Sequence, residues 1–237
     1  MKTLLTLKPL VLSLALLALF AVGQQAARAD EVSVAGYTNG CFNCNPPPVP
    51  NSSAAQTASL FGLQYVNSTF SGTTSGGFLG LGGNPIAPPT QNVDNLGAFS
   101  LASSLANYNG NTFTLRVTFT VPTGINGGGS SLFSATLVGS VTNTGNGGVL
   151  IDFNNTPQLF TFSFANPNGT TTIGSFFFAV NDLAINPGQT ADLTGQITGA
   201  QQSTVPEPTT MILLGTGLAG LAGGIRRRRK AHTQAQS

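Results

Sequence analysis

Along residues 112–121 apolar and polar positions alternate without a break. Phe113, Leu115, Val117, Phe119 and Val121 are separated by Thr112, Thr114, Arg116, Thr118 and Thr120. A period of two predicts a β-strand with one buried face, because successive side chains point to opposite sides of a sheet. The pattern recurs at Phe133, Ala135, Leu137 and Val141, and at Phe160, Phe162 and Phe164. It recurs again at Ala191, Leu193 and Ile197, with Thr190, Asp192, Thr194 and Gln196 facing out. Two runs are continuously apolar, Val149-Leu150-Ile151 and Phe176-Phe177-Phe178-Ala179-Val180, and predict strands covered on both faces.

Between these runs lie strong turn signals, Gly127-Gly128-Gly129 and Asn146-Gly147-Gly148. Many short strands separated by Gly, Asn and Pro predict an all-β fold, an antiparallel β-sandwich of jelly-roll-like form. Its core is expected to be rich in Phe, since residues 30–204 hold no Trp and no Met. Two strand exits share the spacing F-x-x-P-x-G, Phe119 to Gly124 and Phe164 to Gly169. Residues 41–59, rich in Pro, Asn and Ser, and residues 71–90, rich in Gly and Pro, read as irregular. Residues 95–105 read as the one short helix between the chain ends.

Both ends follow a different pattern. Lys2 and Lys8 precede an apolar run at 10–22, and small residues surround a cleavage point at Ala27-Arg28-Ala29. These are the parts of a secretory signal peptide, a signal helix whose removal leaves a mature chain starting at Asp30. At the other end Val205-Pro206-Glu207-Pro208 precedes an apolar stretch at 209–225 and then Arg226-Arg227-Arg228-Arg229-Lys230. Two prolines keep the first part extended. The 17 apolar residues sit at the short end of what spans a bilayer as a helix, and five cations hold its far end in the cytoplasm.

This order of parts resembles the PEP-CTERM sorting signal of bacterial surface proteins, including those of cyanobacterial type, which are processed by the membrane proteases called exosortases. The resemblance implies recognition at Pro206, Glu207 and Pro208, removal of the tail, and release or transfer of the ectodomain. It implies an inner-membrane intermediate and a destination at the cell surface or in the extracellular matrix, where exopolysaccharide is a candidate partner. The chain then divides into a signal peptide (1–29), a Cys/Pro-rich segment (30–59), a β-sandwich domain (60–204), the sorting signal (205–230) and a cytoplasmic tail (231–237).

Removing the ends changes the charge. The whole chain is +2, yet between residues 30 and 204 Arg116 is the only Lys or Arg against six carboxylates, a net −5. Such a surface repels nucleic acid, whose binding depends on neutralising phosphates. Cys41 and Cys44 are the only cysteines; in an exported chain they read as a small disulfide loop, since no helix or βαβ context frames a redox C-x-x-C pair.

Catalytic chemistry is scarce. His232, the only His, lies in the tail, which leaves residues 30–204 without a Ser-His-Asp triad or a His-ligated metal site. Without Lys there is no Schiff-base residue, and no phosphate- or dinucleotide-binding glycine motif points to a cofactor. Asp94, Asp152, Asp182 and Asp192 are the carboxylates from which a glycosidase pair would have to come. Asp152-Phe153-Asn154-Asn155 with Asn181-Asp182 offers oxygen ligands for calcium without matching an EF-hand loop. Asn51, Asn67, Asn154 and Asn168 stand in N-glycosylation patterns. The expectation is a non-enzymatic surface or matrix protein without metal or cofactor. A carbohydrate-binding adhesin is the alternative, and a carboxylate glycosidase a more distant one.

Overall fold

The computed structural model describes residues 28–29, 31–50, 55–206 and 215–218. Their regular structure is almost entirely strand. The first strands are β1 Arg28–Ala29, β2 Ser33–Phe42, β3 Thr57–Leu60, β4 Leu63–Val66, β5 Ser68–Thr73 and β6 Leu79–Leu81. Then come β7 Asn92–Val93, β8 Ala98–Leu101, β9 Ala106–Asn107, β10 Thr112–Val121, β11 Ser130–Val141 and β12 Gly147–Phe153. The last are β13 Gln158–Ala165, β14 Thr170–Val180, β15 Leu183–Ile185, β16 Thr190–Asp192 and β17 Gly195–Pro206.

They form three sheets. The large sheet has the order β15-β12-β11-β10-β2-β5-β7, with β9 also on β11. A tail sheet, which contains the last strand, has the order β1-β17-β14-β13 with β6 on β17, and a small sheet runs β16-β8-β4-β3. Every pairing is antiparallel except β5 with β7.

Strand β10 shows why the sheets meet. Its alternation puts Phe113, Leu115, Val117 and Phe119 on one buried face. Phe113 and Phe119 stand six residues apart, roughly 20 Å along an extended strand. Phe113 packs on Tyr65 and Phe99 of the small sheet, with ring centroids 4.9 and 5.0 Å away. Phe119 packs on Phe160, Phe176 and Phe178 of the tail sheet at 4.9, 5.1 and 5.4 Å. One face of the large sheet is thereby covered at one end by the small sheet and at the other by the tail sheet. A single apolar cluster runs through all three. Each buried Phe stabilises the fold by about 1.5–3 kcal/mol through its area alone.

Glycine makes room for this packing. On β2, next to β10, a Cβ at Gly40 would run into the rings of Phe113 and Tyr65. Polar bonds add direction. The Tyr65 hydroxyl donates to Leu96 O at 2.8 Å and lies 2.9 Å from Thr38 Oγ1. Thr38 Oγ1 in turn accepts the Ser68 N–H at 3.0 Å. These buried groups tie β4, β2 and β5 together.

Several expectations change. Residues 95–105 hold strand β8 instead of a helix, because Tyr65 and Val66 of β4 offer Phe99 and Ala98 a ladder as well as a core. Residues 71–90 include the end of β5 and all of β6, which pairs with β17. Strand β2, from the segment expected to precede the sandwich domain, lies between β10 and β5 inside the large sheet. The run 190–197 is divided: β16 joins the small sheet, and β17 begins at Gly195 in the tail sheet.

The two continuously apolar runs are not covered on both faces either. Leu150 and Phe177 remain exposed, each opposite another exposed apolar residue, Val138 and Leu159 respectively. Cross-strand apolar pairs of this kind shield one another on the solvent side. Of the expected terminal helices, residues 215–218 form one exposed helical turn, and the signal helix lies outside the described residues.

Gly40→Ala is expected to lower unfolding free energy in urea by about 1–3 kcal/mol, the usual effect of overpacking a core. Burial pushes the Tyr65 phenol well above its ordinary pKa, outweighing the Thr38 hydrogen bond, and burial also raises Tyr108. The unfolded chain loses these protons near pH 10 while the folded chain keeps them, so stability is full below about pH 10 and falls above it. Tyr65→Phe is expected to lose about 1–3 kcal/mol at pH 7 and to flatten that alkaline decline, leaving the slope due to Tyr108. Urea titrations at pH 7 and above pH 10 measure both effects.

Candidate functional site

The sorting residues begin where the tail sheet ends. Strand β17 pairs with β14 through Thr172↔Thr204, Thr171↔Val205 and Thr170↔Pro206. Val205 is held extended by the proline after it, and Pro206 has no N–H to continue a ladder. The sheet therefore stops at the first proline of the motif. Glu207 and Pro208, like the basic run Arg226, Arg227, Arg228, Arg229 and Lys230, lie outside the described residues. No helix among the described residues is long and apolar enough to cross a membrane.

The other processing point lies beside the same strand. Arg28 pairs with Ser203, and Ala29 pairs with Gln202. Just beyond them the Gln202 amide donates to Glu31 O at 2.7 Å. Ala27 and Asp30 are outside the described residues. Because β1 and β17 are antiparallel, the backward direction of the N-terminal chain and the forward direction of the tail coincide. Nothing in the separate signal-peptide and tail patterns indicated this proximity, which depends on a pairing across more than 170 residues.

Cys41 and Cys44 form a disulfide with Cα atoms 5.9 Å apart, at the end of β2. Asn43 within that turn accepts the Thr112 N–H at 2.9 Å and donates its amide to Asn111 at 2.8 Å. The chain then doubles back over the outer face of the large sheet, where Pro48 O accepts the Arg116 Nε–H at 2.6 Å. Arg116, the lone cation of residues 30–204, is thus bound to a backbone carbonyl.

Of the four candidate carboxylates, Asp152 and Asp182 stand one rung beyond the Ile151↔Leu183 pair of β12 and β15, while Asp94 lies just past β7 and Asp192 on β16. Asp94 follows β7 with a left-handed backbone, Asp152 faces outward on β12, and Asp192 accepts the Gly83 N–H at 3.0 Å. Asp182, in the turn between β14 and β15, accepts the Phe153 N–H at 2.8 Å. The Asn155 amide, its nitrogen turned toward this carboxylate, donates to it at 2.9 Å. Asp182 and Asn155, two of the residues weighed for calcium, therefore pin the end of β12 to the neighbouring turn. Among the described residues no three His, Cys, Asp or Glu side chains gather as a metal site. Of the glycosylation patterns, Asn67 is wholly buried, whereas Asn154 and Asn168 cap exposed turns by accepting from Thr156 and Thr170.

A PEP-CTERM protein-sorting motif matches residues 204–229. The chain carries that motif, and the motif marks it as an exported protein directed to exosortase at a membrane and onward to the cell surface. No curated protein and no solved structure matches the chain. The match begins at Thr204, within the last rungs of the tail sheet, so the sorting motif and the folded body share their boundary residues.

Asp182→Ala is expected to cost about 0.5–1.5 kcal/mol of stability in thermal or urea unfolding, because it removes the acceptor of the Phe153 N–H and one of the two acceptors of the Asn155 amide.

Proposed function

We propose that residues 30–204 form a non-enzymatic surface or extracellular-matrix domain, a β-sandwich of jelly-roll-like form. In this reading a signal peptide starts its export, a short C-terminal helix holds it in the inner membrane, and exosortase acts at Pro206-Glu207-Pro208. The observation that carries the reading is the junction at Pro206, where the β14–β17 ladder ends on the motif's first residue. A protease acting beyond this point separates a complete sheet from its tail and leaves no core strand behind. Departure of both ends along one edge of the tail sheet supports the same route, since a folded domain then reaches the membrane through either end.

The non-enzymatic part rests on the side chains available. The region lacks His and Lys, and both Asp182 and Asp192 are engaged with backbone N–H groups. A second reading, a carbohydrate-binding adhesin with exopolysaccharide as partner, is favoured by an uncharged groove on the tail sheet.

The sorting assignment is tested with Pro206→Ala combined with Glu207→Ala in the native host. The expected result is an uncut chain retained in the membrane fraction, with its mass increased by the tail. Wild-type processing in the double variant overturns it.

A further inference from the structure

The solvent face of the tail sheet is built differently from the rest of the surface. Its inner face carries Phe160, Phe162, Phe176 and Phe178. On the opposite face the register aligns Ser163, Ile173 and Ser203 in one row, and Thr161, Ser175 and Gln201 in the next. Beyond them Leu159 lies directly opposite Phe177, both exposed. These rows line a groove of about 340 Å³, of which Asn126, from the loop after β10, forms one wall. That volume is at the small end of ligand pockets, which begin near ~300 Å³.

The polar groups of the groove are arranged in advance. Asn126 bonds β13 twice, its backbone N–H to Thr161 O at 2.9 Å and its amide to Thr161 Oγ1 at 2.9 Å. The Gln201 amide donates to Ser175 Oγ at 3.3 Å. A β-bulge between Ser175 and Phe177 interrupts the β14–β17 register beside these residues. Bulges re-aim side chains and strengthen local twist. Behind the groove Gly174 lets the Phe162 ring pack under β14 on the inner face, since a Cβ there would strike that ring and Gln201 O.

The lining contains hydroxyls, amides and one exposed aliphatic side chain, and no charged group. Hydroxyls and amides both donate and accept, which matches the hydroxyl groups of a sugar ring. Ile173 and the adjoining Leu159–Phe177 pair offer apolar surface to the ring's C–H face. An anionic polymer would find no countercharge, because the only cation of residues 30–204, Arg116, is on the large sheet and bound to Pro48.

We propose that this groove across β13, β14 and β17 is a binding site for an uncharged polysaccharide strand. The proposal rests on the adhesin reading above and names its site and its ligand class.

The test is affinity electrophoresis of the full chain in detergent micelles, through native gels containing dextran, hydroxyethylcellulose, xyloglucan or, as an anionic polymer, alginate. Retardation by at least one neutral polymer is expected. Ile173→Glu, which puts a charge in the groove at an exposed position, is expected to weaken it at least tenfold, and Gln201→Ala at least threefold. Val138→Ala, on the exposed face of the large sheet, is expected to change nothing, and thermal melting verifies that each variant is folded.

Neutral-polymer binding that survives in both groove variants overturns the site while leaving the adhesin reading standing. No retardation by any neutral polymer, or retardation by alginate alone, overturns site and ligand class together. Either result is independent of the processing assay that tests sorting.

Discussion

The fold depends on two rings of one strand. Phe113 and Phe119 project from the same face of β10, far enough apart to meet different sheets. A register slip of one residue would present Thr112, Thr114, Arg116, Thr118 and Thr120 to the core instead. Because both rings are fixed to one rigid backbone, the small sheet and the tail sheet are placed relative to each other without needing an extensive interface of their own. Gly40 serves the first contact by letting Phe113 and Tyr65 lie against β2.

With almost no cations available, the polar structure is held by neutral groups. Thr38 joins β2 to Tyr65 and Ser68, Asn43 closes the turn after β2, and the Asn126 amide binds the loop after β10 to β13. Hydrogen bonds of this kind do not depend on ionic strength as ion pairs do. This suits a protein exposed outside the cell. The same composition leaves the groove on the tail sheet without a charged group, so a ligand there has to be recognised by shape and hydroxyl chemistry.

The tail sheet then combines two roles. Its edge carries the end of the folded chain and the start of the sorting motif, and Arg28–Ala29 is paired beside it. Its outer face carries the groove. After removal of the tail, the groove would stay intact, because Gln201 and Ser203 precede the motif.

How much of this was legible in the sequence depended on whether a signal was local. Alternation revealed β10, β11 and β13, because one polar face separates buried from exposed positions. Composition revealed a Phe-rich core and the poverty of catalytic groups. The sorting tail could be read from the order of its parts, since a protease and a membrane act on a linear segment. The apolar runs around Leu150 and Phe177 misled, because an outward apolar residue looks identical to an inward one until its cross-strand partner is known. The split of residues 190–197 between two sheets, the strand at 98–101 and the place of β2 were likewise hidden, each depending on partners far along the chain.

The groove was invisible for the same reason: Thr161, Ser175 and Gln201 are ordinary polar residues until three strands align them. Sequence by itself determined strand character, net charge and the sorting address, all properties of neighbouring residues. Only the tertiary structure decided which strands pair, and so which distant side chains share a face, because backbone hydrogen bonds between strands carry no memory of separation along the chain.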